Sequence, residues 1–310
     1  MFEKIYGKYR GRDTITLSGL RNYSLRDTLE CGQAFRYEKL ISDGEYVEYL
    51  TVVGDVLITV GQENTDSLIF YEIDEKMLDE VVIPYFAISE DYEKIRGEIV
   101  SCTDSEWLRA AAECGKGIRI LKQSPEETLI SFIISQNNNI PRIRKIIRKI
   151  SVEYGKNLAE QIGVCPKTGK PIDNNACREC GVCYTFPAPS DILERPEGLL
   201  PAKVGFRYGY ILDAAEKMSG GEIDLAEIDR RRSYDFTVAE LKKIKGVGDK
   251  VASCVALFAF NNLEAFPIDV WMRRAIDTYF DGSLDPKALG KYAGIVQQYI
   301  FHYIRNIENA

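Results

Sequence analysis

The chain is poor in histidine, a residue on which several large enzyme classes depend. His302 is the single histidine among 310 residues. Ser-His-Asp and Cys-His hydrolases use histidine as their base, and the zinc deaminases use it as a metal ligand. Catalytic zinc sites often use more than one histidine. We therefore exclude these classes of hydrolase and zinc enzyme.

The sequence also lacks a long apolar run. No stretch approaches the roughly 18 apolar residues of a membrane-spanning helix, and Met1–Tyr6 contains no apolar signal core. The apolar fraction of 45% is that of a globular protein. The net charge of −7 argues against indiscriminate binding to nucleic acid. We expect a monomeric, cytoplasmic protein without a membrane partner.

Two kinds of apolar periodicity divide the chain. Residues 1–73 read as short strands, with a predicted hairpin of residues 45–53 and 56–60 around Gly54-Asp55. From Asp74 onward the pattern is helical. We predict an α+β fold with an N-terminal antiparallel domain over residues 1–105 and a helical domain over residues 106–310. The twisted sheet and the helices should enclose a cleft between them.

A helical hairpin over residues 237–262 gives the strongest local signal. Gly246 and Gly248 suit a tight turn with positive φ and allow a ligand to approach the backbone. The amides that open the second helix lie at the positive end of its dipole, which favours a phosphate. Lys245 adds positive charge. The pattern favours nucleic-acid binding, although an ordinary αα-hairpin would contain the same glycines.

Lys250 opens a helix that is otherwise apolar. The helix dipole and partial burial both disfavour an ammonium there, so the residue can serve as a nucleophilic amine. Cys254 follows one turn later on the same face. Asp269 comes two residues after Pro267 and is predicted to cap the next helix with its carboxylate towards the same region. The alternative is a purely structural role, in which Lys250 is a surface residue and Asp269 only caps its helix.

The hairpin, Lys250 and Asp269 resemble the helix-hairpin-helix, Gly/Pro-rich–Asp DNA glycosylases. Within that superfamily the chain is similar to the eukaryotic-type 8-oxoguanine DNA glycosylase/lyase family. Five further segments carry the resemblance in the family's order, and together they span nearly the whole chain. They are CGQAFRY (31–37), GIRILKQSP (117–125), SFIISQNNNIPRI (131–143), VGFRY (204–208) and YAGIVQQYIF (292–301).

The resemblance implies excision of 8-oxoguanine opposite cytosine in damaged double-stranded DNA. Lys250 would attack C1′ and form a Schiff base, Asp269 would support the positive sugar, and β-elimination would cut the strand. Gly32 would accept a hydrogen bond from N7–H of the lesion. The flipped base would lie between Cys254 and Phe301. Gln297 would read its Watson–Crick edge.

The same resemblance assigns contacts with the duplex. Asn137 would fill the gap left by the flipped nucleotide, and Arg142 and Arg207 would contact the opposite cytosine. Phe206 would wedge into the stack without the hydroxyl of the tyrosine found in eukaryotic members. Trp271 replaces a histidine of those members beside Asp269, and a phosphate contact is thereby put in question.

Three other functions remain open from the sequence. A non-enzymatic helix-hairpin-helix module would keep Gly246 and Gly248 but would not need Lys250, Asp269 or Phe301. A glycosylase for another oxidised or alkylated base would differ at the base-contacting positions. An enzyme that releases the base without cutting the strand would not need the lysine.

A small four-cysteine insert, residues 160–186, is not explained by the resemblance. Cys165, Cys177, Cys180 and Cys183 have the spacing C-x11-C-x2-C-x2-C. Four thiolates complete a tetrahedral site, so we predict structural zinc. A 4Fe–4S cluster is the alternative because the three closely spaced cysteines also suit iron–sulfur ligation. Metal-free thiols or disulfides are the remaining possibilities. We expect no catalytic role.

Overall fold

A computed structural model of the chain describes residues 2–159, 165, 167 and 181–308. Residue 308 is described by its backbone only. Its described strands form one antiparallel sheet in the order β1-β2-β6-β5-β4-β3. The predicted hairpin is confirmed, with Val53 paired to Val56 across the turn. The strands are β1 (Glu3–Tyr9), β2 (Arg12–Ser18), β3 (Tyr37–Asp43), β4 (Tyr46–Val53), β5 (Val56–Gln62) and β6 (Ser67–Tyr71).

Helices occupy most of the chain after the sheet, as predicted. Short 3₁₀ segments connect some of them, and a π-helical stretch, Leu78–Val82, joins the second and third. The described α-helices are α1 (Leu25–Glu30), α2 (Glu75–Met77), α3 (Ile83–Tyr85), α4 (Tyr92–Ser101), α5 (Glu106–Cys114), α6 (Pro125–Ser135), α7 (Ile140–Tyr154), α8 (Pro189–Glu194), α9 (Tyr208–Ser219), α10 (Leu225–Arg231), α11 (Tyr234–Leu241), α12 (Asp249–Phe258), α13 (Val270–Tyr279) and α14 (Ala293–Glu308).

Two hydrophobic cores hold these elements. One buries the inner face of the sheet against α1 and the 78–88 segment, with Leu17 and Phe70 at its centre. The other core is formed by the helices, and all but two of its buried residues come from Tyr92 onward. The two exceptions, Cys31 and Phe35, pack into this core from the N-terminal part of the chain. The segment between them therefore lies where the two cores meet.

The helical hairpin forms between α11 and α12, and its two glycines differ. Gly246 has a φ of +79°, and a Cβ there would overlap the ring of Tyr210. The prediction of positive φ is wrong for Gly248, whose φ is −101°. Gly248 instead has extended backbone and is the N-cap of α12, with open space around its Cα. Its lack of a side chain leaves the amide end of the helix accessible.

The base of the four-cysteine insert docks on the sheet domain. Val182 and Cys183 pack with Leu50 and Ala159, and the carbonyl of Tyr184 accepts a hydrogen bond from Arg36 at 2.5 Å. Cys165 and Cys183 are both buried. Cys177 and Cys180 lie outside the described residues. In the part of the chain that is described, no helix is long and apolar enough to cross a membrane.

Candidate active site

A cleft of about 1040 Å³ opens where the two cores meet. Its walls come from the 31–35 segment, the α6–α7 connection, the start of α12, the residues around Asp269 and the exposed turns of α14. The cleft brings together predicted residues that lie more than 200 positions apart in the chain. Those in its lining are Gly32, Asn137, Lys250, Cys254, Asp269, Gln297 and Phe301.

Lys250 enters the cleft from the first turn of α12. Its Nζ lies 3.2 Å from the hydroxyl oxygen of Ser135 and 5.1 Å from the centroid of the Phe132 ring. Phe132 is itself held by stacking on Phe258, with the ring centroids 5.4 Å apart. The amine is half-buried, and its contacts include the Ser135 hydroxyl, the Phe132 ring and the Cys254 thiol. No described carboxylate forms an ion pair with it, so the amine is available to a ligand.

Asp269 caps α13 as predicted. Its Oδ1 accepts a hydrogen bond from the Met272 amide at 2.8 Å, which fixes the carboxylate at the N-terminal end of the helix. An ionised carboxylate has about four lone-pair sites, so most of its accepting capacity remains. The residue is half-buried in the same cleft as Lys250. A developing cation placed between the two would meet a nearby negative charge.

Cys254 is a neutral thiol rather than a nucleophile. Burial raises its pKa to about 11; the charge of Lys250 opposes this shift and that of Asp269 adds to it. The thiolate, which is the reactive form, is thus scarce at neutral pH. A soft, neutral sulfur suits contact with a flat aromatic ligand.

Gly32 and Phe301 lie close together and form an aromatic slot in the cleft, whose lining also contains Cys254. Gly32 has a φ of +87°, and a Cβ there would come within 3.3 Å of Ile140 Cδ1 and 3.5 Å of Phe301 Cε1. Glycine is therefore favoured by the backbone conformation, and a Cβ would fit only in tight contact with Ile140. The half-buried Phe301 ring offers an aromatic face in the slot.

Gln33 positions this slot, and the sequence reasoning missed it. Its side chain is fully buried and donates to the carbonyls of Thr28 at 2.8 Å and Arg119 at 2.7 Å. Its Oε1 accepts from the Leu121 amide at 2.8 Å. The Gly32 backbone is thereby tied to the 119–121 segment. The only signal in the sequence is a glutamine beside Gly32, and two of its three partners lie 86 and 88 residues away.

Gln297 reaches the cleft from α14. It is buried, and its Oε1 accepts a hydrogen bond from the side chain of Gln298 at 2.8 Å. Like Ser135, Gln298 is a cleft residue that the sequence reasoning did not select. An amide at the end of a slot can donate and accept towards the edge of a flat heterocycle.

Asn137 stands at the tip between α6 and α7. It is exposed and has a φ of +47°, a left-handed conformation that asparagine tolerates better than most residues. The following helix is capped by Asn139, whose Oδ1 accepts from the Arg142 amide at 3.0 Å. Asn137 lies in the connection before α7, and the exposed Arg142 lies in the first turn of that helix.

Arg207 holds the connection between α6 and α7 through hydrogen bonds to its backbone. Its side chain is 3% exposed and donates to the carbonyls of Gln136, Asn137 and Val204. Burial, and then the charge of Arg142, lower its pKa from the ordinary value. In this structure Arg207 therefore holds the Asn137 loop, and its predicted contact with cytosine stays a prediction.

Phe206 projects outward beside this loop. Its side chain is 56% exposed, and its ring centroid lies 6.0 Å from that of Tyr210. The Arg207 guanidinium sits 4.4 Å from the ring centroid. Large exposed apolar side chains often mark binding surfaces. The position suits the predicted wedge.

The hairpin offers an anion site beside the cleft. Gly248 caps α12 without a side chain, so the amides of the first turn remain for a ligand. Lys245 is exposed, and its backbone amide is held by Asp213 at 2.7 Å. Lys242 instead pairs with Asp249 at 2.6 Å. The positive character of the turn thus comes from the helix end and from Lys245.

Comparison with solved structures assigns a class to this architecture. The 8-oxoguanine glycosylase/lyase of Clostridium acetobutylicum, in complex with double-stranded DNA containing cytosine opposite 8-oxoguanine, matches with a TM-score of 0.81. The two chains are 30% identical, and the match covers 99% of this chain and 98% of that one. The fold is that of a helix-hairpin-helix DNA glycosylase.

Sequence comparisons narrow the class. Residues 17–129 match the model of the 8-oxoguanine DNA glycosylase N-terminal domain. The N-glycosylase/DNA lyase of Saccharomyces cerevisiae is 27% identical over 278 residues, which cover 81% of this chain and 66% of the yeast protein. A probable N-glycosylase/DNA lyase of Methanothermobacter thermautotrophicus is 26% identical, over 92% of this chain and 94% of its own. This chain belongs to the 8-oxoguanine DNA glycosylase family, which confirms the resemblance.

Proposed function

We propose that this chain excises 8-oxoguanine paired with cytosine from duplex DNA and then cleaves the abasic strand. The observation that carries the proposal is the convergence of Lys250 and Asp269 on the cleft that also contains Gly32 and Phe301. The family membership supports the same activity, because relatives are named N-glycosylase/DNA lyase. A binding module would have no use for an amine and a carboxylate beside an aromatic slot.

Catalysis requires that the lesion leave the helix. Extrusion of a base costs a few kcal/mol, and groups that fill the vacated space offset part of it. Asn137 and Phe206 both project from the protein beside the cleft and can occupy the stack. The cleft, at about 1040 Å³, is at the upper end of the usual range for small-ligand pockets, which accommodates a purine with part of its sugar.

Lys250 performs the first chemical step as an unprotonated amine. Its nitrogen bonds to C1′ while the N-glycosidic bond to N9 breaks, and the electron pair leaves with the base, which takes up a proton. The sugar gains positive character as the bond breaks. Asp269, held at the helix end, stabilises that charge electrostatically.

Strand cleavage follows from the covalent adduct. The sugar ring opens as the C1′–O4′ bond breaks, and C1′ becomes an imine of Lys250. Loss of a proton from C2′ then supplies the electron pair that expels the 3′ phosphate. Water hydrolyses the imine, which releases the unsaturated aldehyde end and restores the free amine.

Base recognition uses the slot. The Gly32 carbonyl accepts N7–H, which 8-oxoguanine has and guanine lacks, while Phe301 and the neutral Cys254 thiol contact its two faces. Gln297 pairs with the Watson–Crick edge. Across the duplex, Arg142 and Arg207 contact the cytosine; for Arg207 this requires exchange of a loop-carbonyl contact or use of a remaining donor among its five N–H groups.

A single-turnover release assay tests the proposal. Duplexes carrying 8-oxoguanine, thymine glycol or 3-methyladenine opposite their usual partners are incubated with excess protein, and the freed base and the cut strand are quantified separately. We expect release of 8-oxoguanine with strand cleavage, and little release of the other two bases. Preferential release of another lesion would assign a different glycosylase, and binding without release would leave only a DNA-binding module.

We also propose that Cys165, Cys177, Cys180 and Cys183 hold a structural zinc ion, with a 4Fe–4S cluster as the alternative. The burial of Cys165 and Cys183 supports a closed site. The neighbouring Tyr184 is tied through Arg36 to Glu127, whose carboxylate lies 2.6 Å from the guanidinium. A metal here would stabilise the insert, whose Tyr184 is already linked to the sheet domain through Arg36 and to the helical domain through Glu127. Metal analysis of anaerobically purified protein should find one zinc per chain, and absence of both zinc and iron would refute the proposal.

A further inference from the structure

Gln298 has a buried amide in the cleft wall. Its side chain is 4% exposed, and its Nε2 donates to Gln297 Oε1 at 2.8 Å. Its own Oε1 is buried, and no donor among the described residues bonds to it. Buried polar oxygens in proteins are nearly always bonded, and an exception calls for an explanation. A ligand that brings a donor into the cleft would satisfy this oxygen.

The position of Gln298 on α14 places it beside the aromatic slot. Residues three, four and seven apart lie on one face of a helix. Gln298 is three residues before Phe301 and seven before Arg305, and all three line the cleft. Gln297 is four residues before Phe301 and also lines it. The two glutamine amides, which bond to each other, thus line the same cleft as the ring on which a base would stack.

The edge of 8-oxoguanine offers more hydrogen bonds than one amide can satisfy. Its Watson–Crick edge carries one acceptor, O6, and two donor groups, N1–H and the exocyclic 2-amino group. One glutamine can donate to O6 and accept from N1–H. Gln297 Oε1 has two lone pairs, and Gln298 already occupies one of them. The 2-amino group therefore needs a second acceptor.

Building on the proposed function, we propose that Gln298 is a second base-reading residue. Its Nε2 fixes the orientation of the Gln297 amide, and its Oε1 accepts a hydrogen bond from the 2-amino group of the flipped 8-oxoguanine. The buried oxygen is thus left without a partner until the correct base arrives. A purine that lacks the 2-amino group would leave the same oxygen unsatisfied, so Gln298 selects against it.

A comparison of two lesions isolates this contact. Single-turnover excision is measured on duplexes with 8-oxoguanine or 8-oxohypoxanthine, which lacks the 2-amino group, each opposite cytosine. We expect the unaltered protein to prefer 8-oxoguanine about tenfold, the effect of one buried hydrogen bond. Gln298→Met, which keeps the length of the side chain but has no amide, should excise the two lesions at rates within about twofold. A merely structural role would slow both lesions equally.

Two further variants complete the test. Gln298→Glu keeps an acceptor for the 2-amino group but loses the donor to Gln297 Oε1. It should therefore excise both lesions more slowly and still retain the preference, which also covers the case in which the methionine variant does not fold. Asn262→Leu is the matched control: Asn262 is also 4% exposed and has a buried Oδ1 without a described donor, but it lies outside the cleft lining. It should keep the tenfold preference.

The outcomes separate the two proposals. A preference that persists in Gln298→Met, or one that the unaltered protein never shows, would overturn the role of Gln298 while leaving excision intact. Failure of the unaltered protein to release 8-oxoguanine at all would instead overturn the proposed function. Loss of the preference in Gln298→Met alone, with Asn262→Leu unchanged, would establish the contact.

Discussion

Two uncharged side chains help to position the Lys250 amine. Ser135 places a hydroxyl 3.2 Å from Nζ, and the Phe132 ring lies beneath it. A carboxylate in the same place would form an ion pair with the amine, whereas a hydroxyl contacts it through a neutral hydrogen bond. The amine lines the cleft, and the Asp269 carboxylate is held separately at the start of α13.

Ser135→Ala removes the orienting hydroxyl. We predict a fall of about three- to tenfold in the single-turnover rate of base release, the loss of one ordinary hydrogen bond, with the affinity for damaged duplex unchanged. Rapid-quench kinetics at saturating protein, with a parallel DNA-binding titration, would show this. A rate equal to that of the unaltered protein would mean that Ser135 does not position the amine.

The buried thiol of Cys254 predicts a dependence of stability on alkaline pH. Its pKa is about 11 in the folded protein against an ordinary 9.0, so the folded state retains the proton to a higher pH. The contribution of this group to stability is therefore complete below about pH 9 and is lost as the pH rises towards 11. The slope is at most about 1.4 kcal/mol per pH unit.

Denaturant melts of the unaltered protein and of Cys254→Ala between pH 8 and 11 measure that contribution. The alanine variant will be less stable throughout because it leaves a cavity, but its free energy of unfolding should fall less steeply above pH 9. Parallel curves for the two proteins would show that the thiol does not titrate differently on folding.

At the scale of single elements, the hairpin uses its two glycines for different purposes. Gly246 has a positive φ and packs against Tyr210, while Gly248 leaves the backbone amides at the start of α12 accessible. The sequence pattern assigned positive φ to both. The prediction was wrong for Gly248 because glycine occurs both at positions of positive φ and at positions where a ligand approaches the backbone. The sequence alone does not distinguish these two uses.

The two alanine variants should therefore fail in different ways. Gly246→Ala should destabilise the fold by about 2 kcal/mol or more, from left-handed strain and overlap with the Tyr210 ring. Gly248→Ala should change stability by less than about 1 kcal/mol and instead weaken binding to duplex DNA. Thermal unfolding and DNA titration of both proteins test this, and equal losses of stability would contradict the distinction.

Local signals predicted these elements well because their causes are local. The Gly54-Asp55 turn between two apolar runs predicted the β4–β5 pair, and Asp269 was recognised as a cap from its neighbours in sequence. Lys250 lies 115 residues from its partner Ser135, and Arg119 lies 86 residues from its partner Gln33. Such contacts follow from the packing of the two cores, which no short pattern encodes. The resemblance supplied the remaining site residues.

At the scale of the whole molecule, the cleft depends on how the two cores meet. Gly32 comes from the N-terminal part of the chain, while Phe301, the amine and the carboxylate come from the helical part. Gln33, next to Gly32, bonds to Thr28, Arg119 and Leu121. One buried side chain thus sets the alignment of Gly32 with the 119–121 segment.

Gln33→Leu would test that alignment. It leaves two carbonyls and an amide without partners, so we expect a loss of roughly 2–4 kcal/mol in the free energy of unfolding. Excision should also become less selective for 8-oxoguanine over guanine, because Gly32 is no longer held. Urea denaturation and single-turnover assays on both duplexes measure the two effects. A variant that is destabilised but fully selective would confine Gln33 to a structural role.

Borohydride trapping addresses the central claim most directly. Protein is incubated with duplex DNA containing 8-oxoguanine opposite cytosine in the presence of borohydride, beside an undamaged duplex and the Lys250→Gln protein. We predict a covalent protein–DNA adduct only with the damaged duplex and only when Lys250 is present. Base release without an adduct, or an adduct that persists in Lys250→Gln, would contradict the assignment of Lys250 as the nucleophile.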